Sequence, residues 1–164
     1  YGGGFNLALV ADFILASPRA RFCSVFGRIG LVPDAGGFYL LPRIVGLQRA
    51  KDIMFTARSF GPEEAKDMGI VYEIHPQDAL LDRAMEFAGR FRHASRQAIG
   101  LTKNVLNQSL NLDEKAVGQL EAYAQGVAFA TEYSGEAINN FLEKRPLAFD
   151  WDKMASAAKK DETP

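Results

Sequence analysis

The sequence predicts an α/β fold of uneven make-up, with strands and helices mixed at the front and helices alone behind. Three observations carry that prediction. Short apolar runs split by turn residues fill the first quarter of the chain. The run Ile70-Val71-Tyr72-Glu73-Ile74 reads as the clearest strand. From Leu80 onward the period changes to helical, with Leu80, Ala84, Phe87 and Phe91 at spacings of 4, 3 and 4. A length of 164 residues suits one domain able to bury roughly 70% of its unfolded surface.

Taken in order, Gly2-Gly3-Gly4 leads into Phe5 to Ala11, apolar on nearly all sides and expected to form a short buried helix. Phe13 to Ala16 and Arg21 to Ser24 read as two short strands divided by Ser17-Pro18. Gly30 to Pro33 is a loop. Ala35 to Val45 follows as a helix closed by Gly46. Leu47 to Thr56 is the next helix, and Pro62 opens another that Gly69 ends after Met68. Behind the strand at 70–74, Ser95 caps a helix with Ala98, Leu101, Val105 and Leu106 on one side. The longest helix runs from about Leu112 to Ala130. Ser134 is expected to cap a last helix reaching Lys144, stopped by Pro146. The tail Ala155 to Pro164 is small and polar, and is expected to be loose.

Composition removes several functions. Hydrophobic residues make up 48%, charged residues 24%, and the net charge is −1, so there is no electrostatic footprint for nucleic acid. No apolar run reaches the ~20 residues that span a bilayer. Cys23 stands alone, which rules out an internal disulfide and points to a reducing, cytoplasmic setting. The chain opens inside a glycine run without an initiating Met, and is expected to be the later part of a longer protein. His75 and His93 have no partner pattern for a triad or a metal, and Arg90, Arg92 and Arg96 read as a solvated face.

Two features could carry chemistry. A glycine-rich helix start offers bare N–H groups, and Gly3 could donate one to a developing oxyanion, or simply pack a tight junction. Asp34, set in Ile29-Gly30-Leu31-Val32-Pro33-Asp34-Ala35-Gly36-Gly37, could act as base and then acid in an apolar loop, or cap the following helix. Together they suit an enolate.

The whole chain resembles the crotonase superfamily, the enoyl-CoA hydratase/isomerase family. The resemblance lies in Gly2-Gly3-Gly4 with Asp12, the run Ile29 to Gly37 and Leu41-Pro42-Arg43-Ile44-Val45-Gly46. It continues through Ala65-Lys66-Asp67-Met68-Gly69-Ile70-Val71 and Phe141-Leu142-Glu143-Lys144-Arg145-Pro146. It implies a spiral of ββα turns over residues 1–75, a helical trimerisation region over 76–150 and a tail at 151–164. It implies acyl-CoA thioester substrates, coenzyme A arriving with the substrate and no further cofactor or metal. Two N–H groups form the family's oxyanion hole, and Gly3 matches one. The other belongs to the earlier part of the family's sequence.

Asp34 matches the acid of an isomerase subset that includes epoxyphenylacetyl-CoA isomerases. Ungapped matching puts Asn6 and Phe26 where hydratases of the family hold the two glutamates that flank a water. Hydration is therefore disfavoured, and double-bond or ring-opening isomerisation through a thioester enolate is favoured. Gly2, Gly4, Val25, Phe26 and Leu31 are expected to line the substrate site, with core packing the alternative for the apolar three. Lys144 matches a lysine that reaches the coenzyme A phosphate of a neighbouring subunit, against the plainer reading of a helix-end lysine. The expected partners are copies of itself, as a trimer or hexamer, with no membrane or nucleic acid. Alternatives are a hydratase, a non-catalytic assembly module or fragment inactive alone, and an acyl-CoA dehalogenase with Asp34 as nucleophile.

Overall fold

The computed structural model describes residues 1–155. The expected loose tail lies outside them except for Ala155. The chain forms two units, residues 1–85 and 86–164.

The first unit begins with α1 (Gly3–Ala8). Phe5 and Leu9 bury on one side of it, while Leu7 and Val10 are exposed. The helix expected to be buried all round is thus buried along one stripe. Phe5 anchors that stripe by packing its ring 5.7 Å from Phe22 and 5.8 Å from Phe60. Among the described residues only β1 (Leu15–Ala16) and β2 (Glu73–Ile74) form a ladder, parallel, with Leu15 opposite Glu73 and Ala16 opposite Ile74. The strand expected at 21–24 is reduced to one antiparallel bridge, Phe22 with Phe60, and the run 70–74 forms a strand only at its end. A strand needs a hydrogen-bonded neighbour along its length, and apolar character alone does not supply one.

A 3₁₀ turn covers Val25–Ile29 and ends at Gly30. Then α2 (Gly37–Val45) begins two residues later than the helix read from the sequence. The reason is local: Ala35 at φ 44° and Gly36 at φ 82° are both left-handed, and a right-handed helix cannot pass through them. After α2 come α3 (Leu47–Thr56), matching its expected bounds, and α4 (Pro62–Asp67) with Pro62 in its first turn. The core of this unit gathers Phe5, Leu9, Leu41, Val45, Ile53, Phe60 and Ile70. It holds α1 and α2 against each other, which is what places the site below.

The helix α5 (Leu80–Arg90) crosses from the first unit into the second. The second unit continues with α6 (Arg96–Ser109), α7 (Glu114–Phe129) and α8 (Glu132–Leu142). Ser95 caps α6 as expected, its hydroxyl accepting from the Ala98 N–H at 3.2 Å. Asp113 caps α7, accepting from Ala116 N–H at 2.8 Å. The cap of α8 is Thr131 rather than Ser134, because the Thr131 hydroxyl accepts from the Ser134 N–H at 3.3 Å. Ser134 therefore lies inside the helix it was expected to start. Residues 151–155 form a further helical turn, and Trp151 packs 5.2 Å from both Phe87 and Phe91.

Candidate active site

Gly2, the residue before α1, has φ 54°, a conformation that favours glycine. Its N–H donates to the Cys23 carbonyl at 2.9 Å, tying the helix start to the segment that carries Val25 and Phe26. A Cβ on Gly2 would sit 3.3 Å from Val25 Cγ1 and 3.7 Å from Phe26 Cζ. Three of the residues expected to line the substrate site therefore meet. Phe26 is buried, and its ring offers no group able to exchange a proton.

Gly3 is the first residue of α1 and is exposed. The first N–H groups of a helix have no acceptor within it. The Gly4 N–H turns back to Tyr1 at 3.2 Å, and the Gly3 N–H has no acceptor among the described residues. A Cβ on Gly3 would lie 3.8 Å from Asp34 Oδ1, so the Asp34 carboxylate faces this glycine. Around Gly4 a Cβ would meet nothing within 4 Å, and crowding gives no account of a glycine there.

Asp34 does not cap α2. That helix has Gly36 as its cap residue and no side-chain cap hydrogen bond. Instead the Asp34 carbonyl accepts two hydrogen bonds, from the Gly37 N–H at 2.9 Å and from Asn6 Nδ2 at 2.8 Å. The apolar loop does not enclose the carboxylate: Asp34, Leu31 and Val32 are all exposed. A run of apolar neighbours in sequence buries a charge only if those side chains fold over it, and Leu31 and Val32 are themselves open to solvent.

Asn6 is 1% exposed, and its Oδ1 has no hydrogen-bond partner. Its amide lies so close to Gly37 that a Cβ there would fall 2.6 Å from Nδ2. From the sequence, Asn6 reads only as an absent acid, and nothing there pairs it with Gly37. The available signal was an amide three residues after Gly3, in the middle of an apolar helix. Lys144 belongs to the second unit. It is exposed, and its φ of 55° lies just past the end of α8. No group of three or more His, Cys, Asp and Glu residues among the described residues could hold a metal ion. No helix among them is long and apolar enough to cross a membrane.

The model of the enoyl-CoA hydratase/isomerase family matches residues 1–153. A match running from the first residue does not bear out the reading of the chain as a later part of the family's sequence. A crotonyl-CoA hydratase of Syntrophomonas wolfei is 34% identical over 148 residues, 90% of this chain and 57% of that protein. A 1,2-epoxyphenylacetyl-CoA isomerase of Escherichia coli is 31% identical over 151 residues, 90% of this chain and 56% of that one. Among solved structures, an enoyl-CoA hydratase/isomerase from Cupriavidus metallidurans has a TM-score of 0.87 at 50% identity, covering 90% of this chain and 56% of its own. The chain spans a little over half the length of these relatives.

Proposed function

The chain belongs to the enoyl-CoA hydratase/isomerase family, and on that premise we propose that the complete protein is an acyl-CoA isomerase. It would shift a double bond or open a strained ring by way of a thioester enolate. The observation that carries this reading is the pairing of two groups, the Asp34 carboxylate and the Gly3 backbone, 3.8 Å apart when measured from Oδ1 to the Cβ position.

In the proposed reaction the thioester carbonyl accepts from the Gly3 N–H and from a second donor elsewhere in the protein. The Asp34 carboxylate takes a proton from a carbon near the thioester. The C–H electron pair moves into the enolate, and the carbonyl oxygen gains charge. Losing one donor to such an oxygen costs on the order of 10²–10³ in rate. The enolate then collapses as Asp34 returns the proton to a different carbon. Adding water would need groups that hold and deprotonate it, and neither Asn6 nor Phe26 can do so. Lys144 is assigned to the coenzyme A phosphate, which its exposure permits. Assembly into homo-oligomers through α7 and α8 belongs to the same reading, supported by the exposed Tyr123, Phe129, Phe141 and Leu142.

The test sets isomerisation and hydration of enoyl-CoA substrates side by side on the complete protein. Asp34→Asn is expected to lower isomerisation at least 10²-fold, in line with general acid–base contributions of about 10²–10⁴. Hydration that outpaces isomerisation and ignores the substitution would overturn the proposal. One observation favours a second reading, a non-catalytic assembly module: the Asp34 carboxylate is exposed. Absence of both activities in a folded, oligomeric protein would select it.

A further inference from the structure

The residue that stands where a hydratase would carry an acid has a different use in this chain. We infer that Asn6 is a positioning residue, which fixes the Asp34 turn to α1 so that the carboxylate faces Gly3. This rests on the reading of Asp34 as the proton shuttle.

Four observations converge on it. Asn6 and Gly3 are three residues apart on α1, so they share one face of the helix. Asn6 Nδ2 donates to the Asp34 carbonyl at 2.8 Å, across 28 residues of sequence. One side chain thereby ties the oxyanion donor's helix to the segment carrying the base. The turn it holds contains two consecutive left-handed residues, Ala35 at φ 44° and Gly36 at φ 82°. At Ala35 that conformation is costly and persists only where surrounding contacts over-determine it, whereas Gly36 adopts it freely. Finally, Gly37 leaves no room beside the amide, with Cβ distances of 2.6–2.8 Å to Nδ2, Cγ and Oδ1. The Asn6 side chain is therefore held in place as well as bonded.

A structural role alone would make the same hydrogen bond, and the two roles separate in a variant of the same branching that cannot hydrogen-bond. In Asn6→Leu the Asp34 carbonyl keeps the Gly37 N–H at 2.9 Å, so it is not orphaned. The substitution also removes Oδ1, a buried acceptor without a partner. Of the bonded pair only the donor is removed and no buried group is stranded, so the cost to stability is the fit of the bulkier side chain, about 1–3 kcal/mol. What is lost is the tie between the turn and α1. A misplacement of about 1 Å can cost on the order of 10²-fold in rate.

The experiment measures kcat, KM and Tm for the complete protein as Asn6→Leu, Asp34→Asn and the double variant. Expected are a kcat lowered roughly 10–100-fold, a KM close to wild type and a Tm lowered by only several degrees, so that the protein stays folded in the assay. In the Asp34→Asn background, Asn6→Leu should cause no further loss, because a residue acting through Asp34 has nothing left to position. A folded Asn6→Leu protein with wild-type kcat would overturn the inference, as would losses that multiply in the double variant. Full activity in Asp34→Asn alone would instead remove the reading of Asp34 and this inference with it, so the two failures are told apart. Should Asn6→Leu not fold, Asn6→Asp serves. Its carboxylate cannot donate, but its acid form can, so its rate relative to wild type should recover as pH falls. A ratio that stays flat with pH would overturn the inference too.

Discussion

Gly37→Ala tests the packing of the site without touching a group that carries chemistry. In most helices this substitution stabilises, because alanine is favoured over glycine by about 1 kcal/mol in a helix interior. Here the new Cβ would fall 2.6 Å from Asn6 Nδ2, and 3.4 Å is the near edge of ordinary contact, so one group must move by 3.4 − 2.6 = about 0.8 Å. Asn6 is buried against Gly37, and the motion open to its amide is away from α2. That would lengthen the 2.8 Å bond from Nδ2 to the Asp34 carbonyl towards 3.5 Å, where it no longer counts as one. A lost hydrogen bond that strands a buried donor costs about 1–3 kcal/mol, and overpacking a filled site about 1–3 more. Set against the helix-propensity gain, the net is a destabilisation of about 1–5 kcal/mol. For a chain of this size that is a fall in Tm of roughly 2–4 °C per kcal/mol. Thermal unfolding should show the fall, and Asn6→Ala in the same protein should relieve it by opening space. Gly118→Ala, on α7 where a Cβ meets nothing within 4 Å, is the control and should raise Tm slightly. A Gly37→Ala protein as stable as the control would refute the close approach of Asn6 to α2.

Two further outcomes follow from the ionic and capping contacts. Glu73 accepts from Arg83 at 2.8 Å and from His75 at 2.8 Å; the Arg83 hydrogen bond chiefly holds its carboxyl down at about 2 against an ordinary 4.5, partly opposed by burial. The folded value lies below the unfolded one, so the stabilisation is present above about pH 4.5 and is lost as pH falls to about 2. After allowance for solvent screening, Glu73→Gln should cost about 1 kcal/mol at pH 7 in denaturant titration, and the difference from wild type should shrink steadily below pH 4.5 and disappear as pH falls through about 2. Thr131→Ala should destabilise by about 1 kcal/mol while Ser134→Ala leaves stability within about 0.5 kcal/mol, because only the threonine hydroxyl caps α8.

What the sequence disclosed was local. The start of α3 was legible because Gly46, at φ 82°, stands between two amphipathic runs. Ser95 was legible as a cap because its partner lies three residues away. The failures share a different cause. The two-residue strands depend on a pairing between residues 15 and 73, and no window along the chain contains both partners. The start of α2 was misplaced because Asp34 sits where a cap would, while the left-handed pair after it gives no compositional sign at Ala35. Within the site, Gly3 and Asp34 were legible through the family resemblance. That they face one another through Asn6 was not, since the bond joining them spans 28 residues.

The identity of residue 6 and that of residue 34 are physically linked. Asp34 is exposed, so burial does not fix its position; the turn does, and the turn is tied to α1 by a donor. An ionised acid at residue 6 could not give that hydrogen bond, because a carboxylate only accepts. It would also place a second negative charge beside the Asp34 segment, where like charges raise the cost of ionising both. A neutral amide avoids both penalties while filling the same space against Gly37. On the proposed reading, the amide at residue 6 and the carboxylate at residue 34 work as one unit, and an ionised acid at residue 6 would break the bond that joins them.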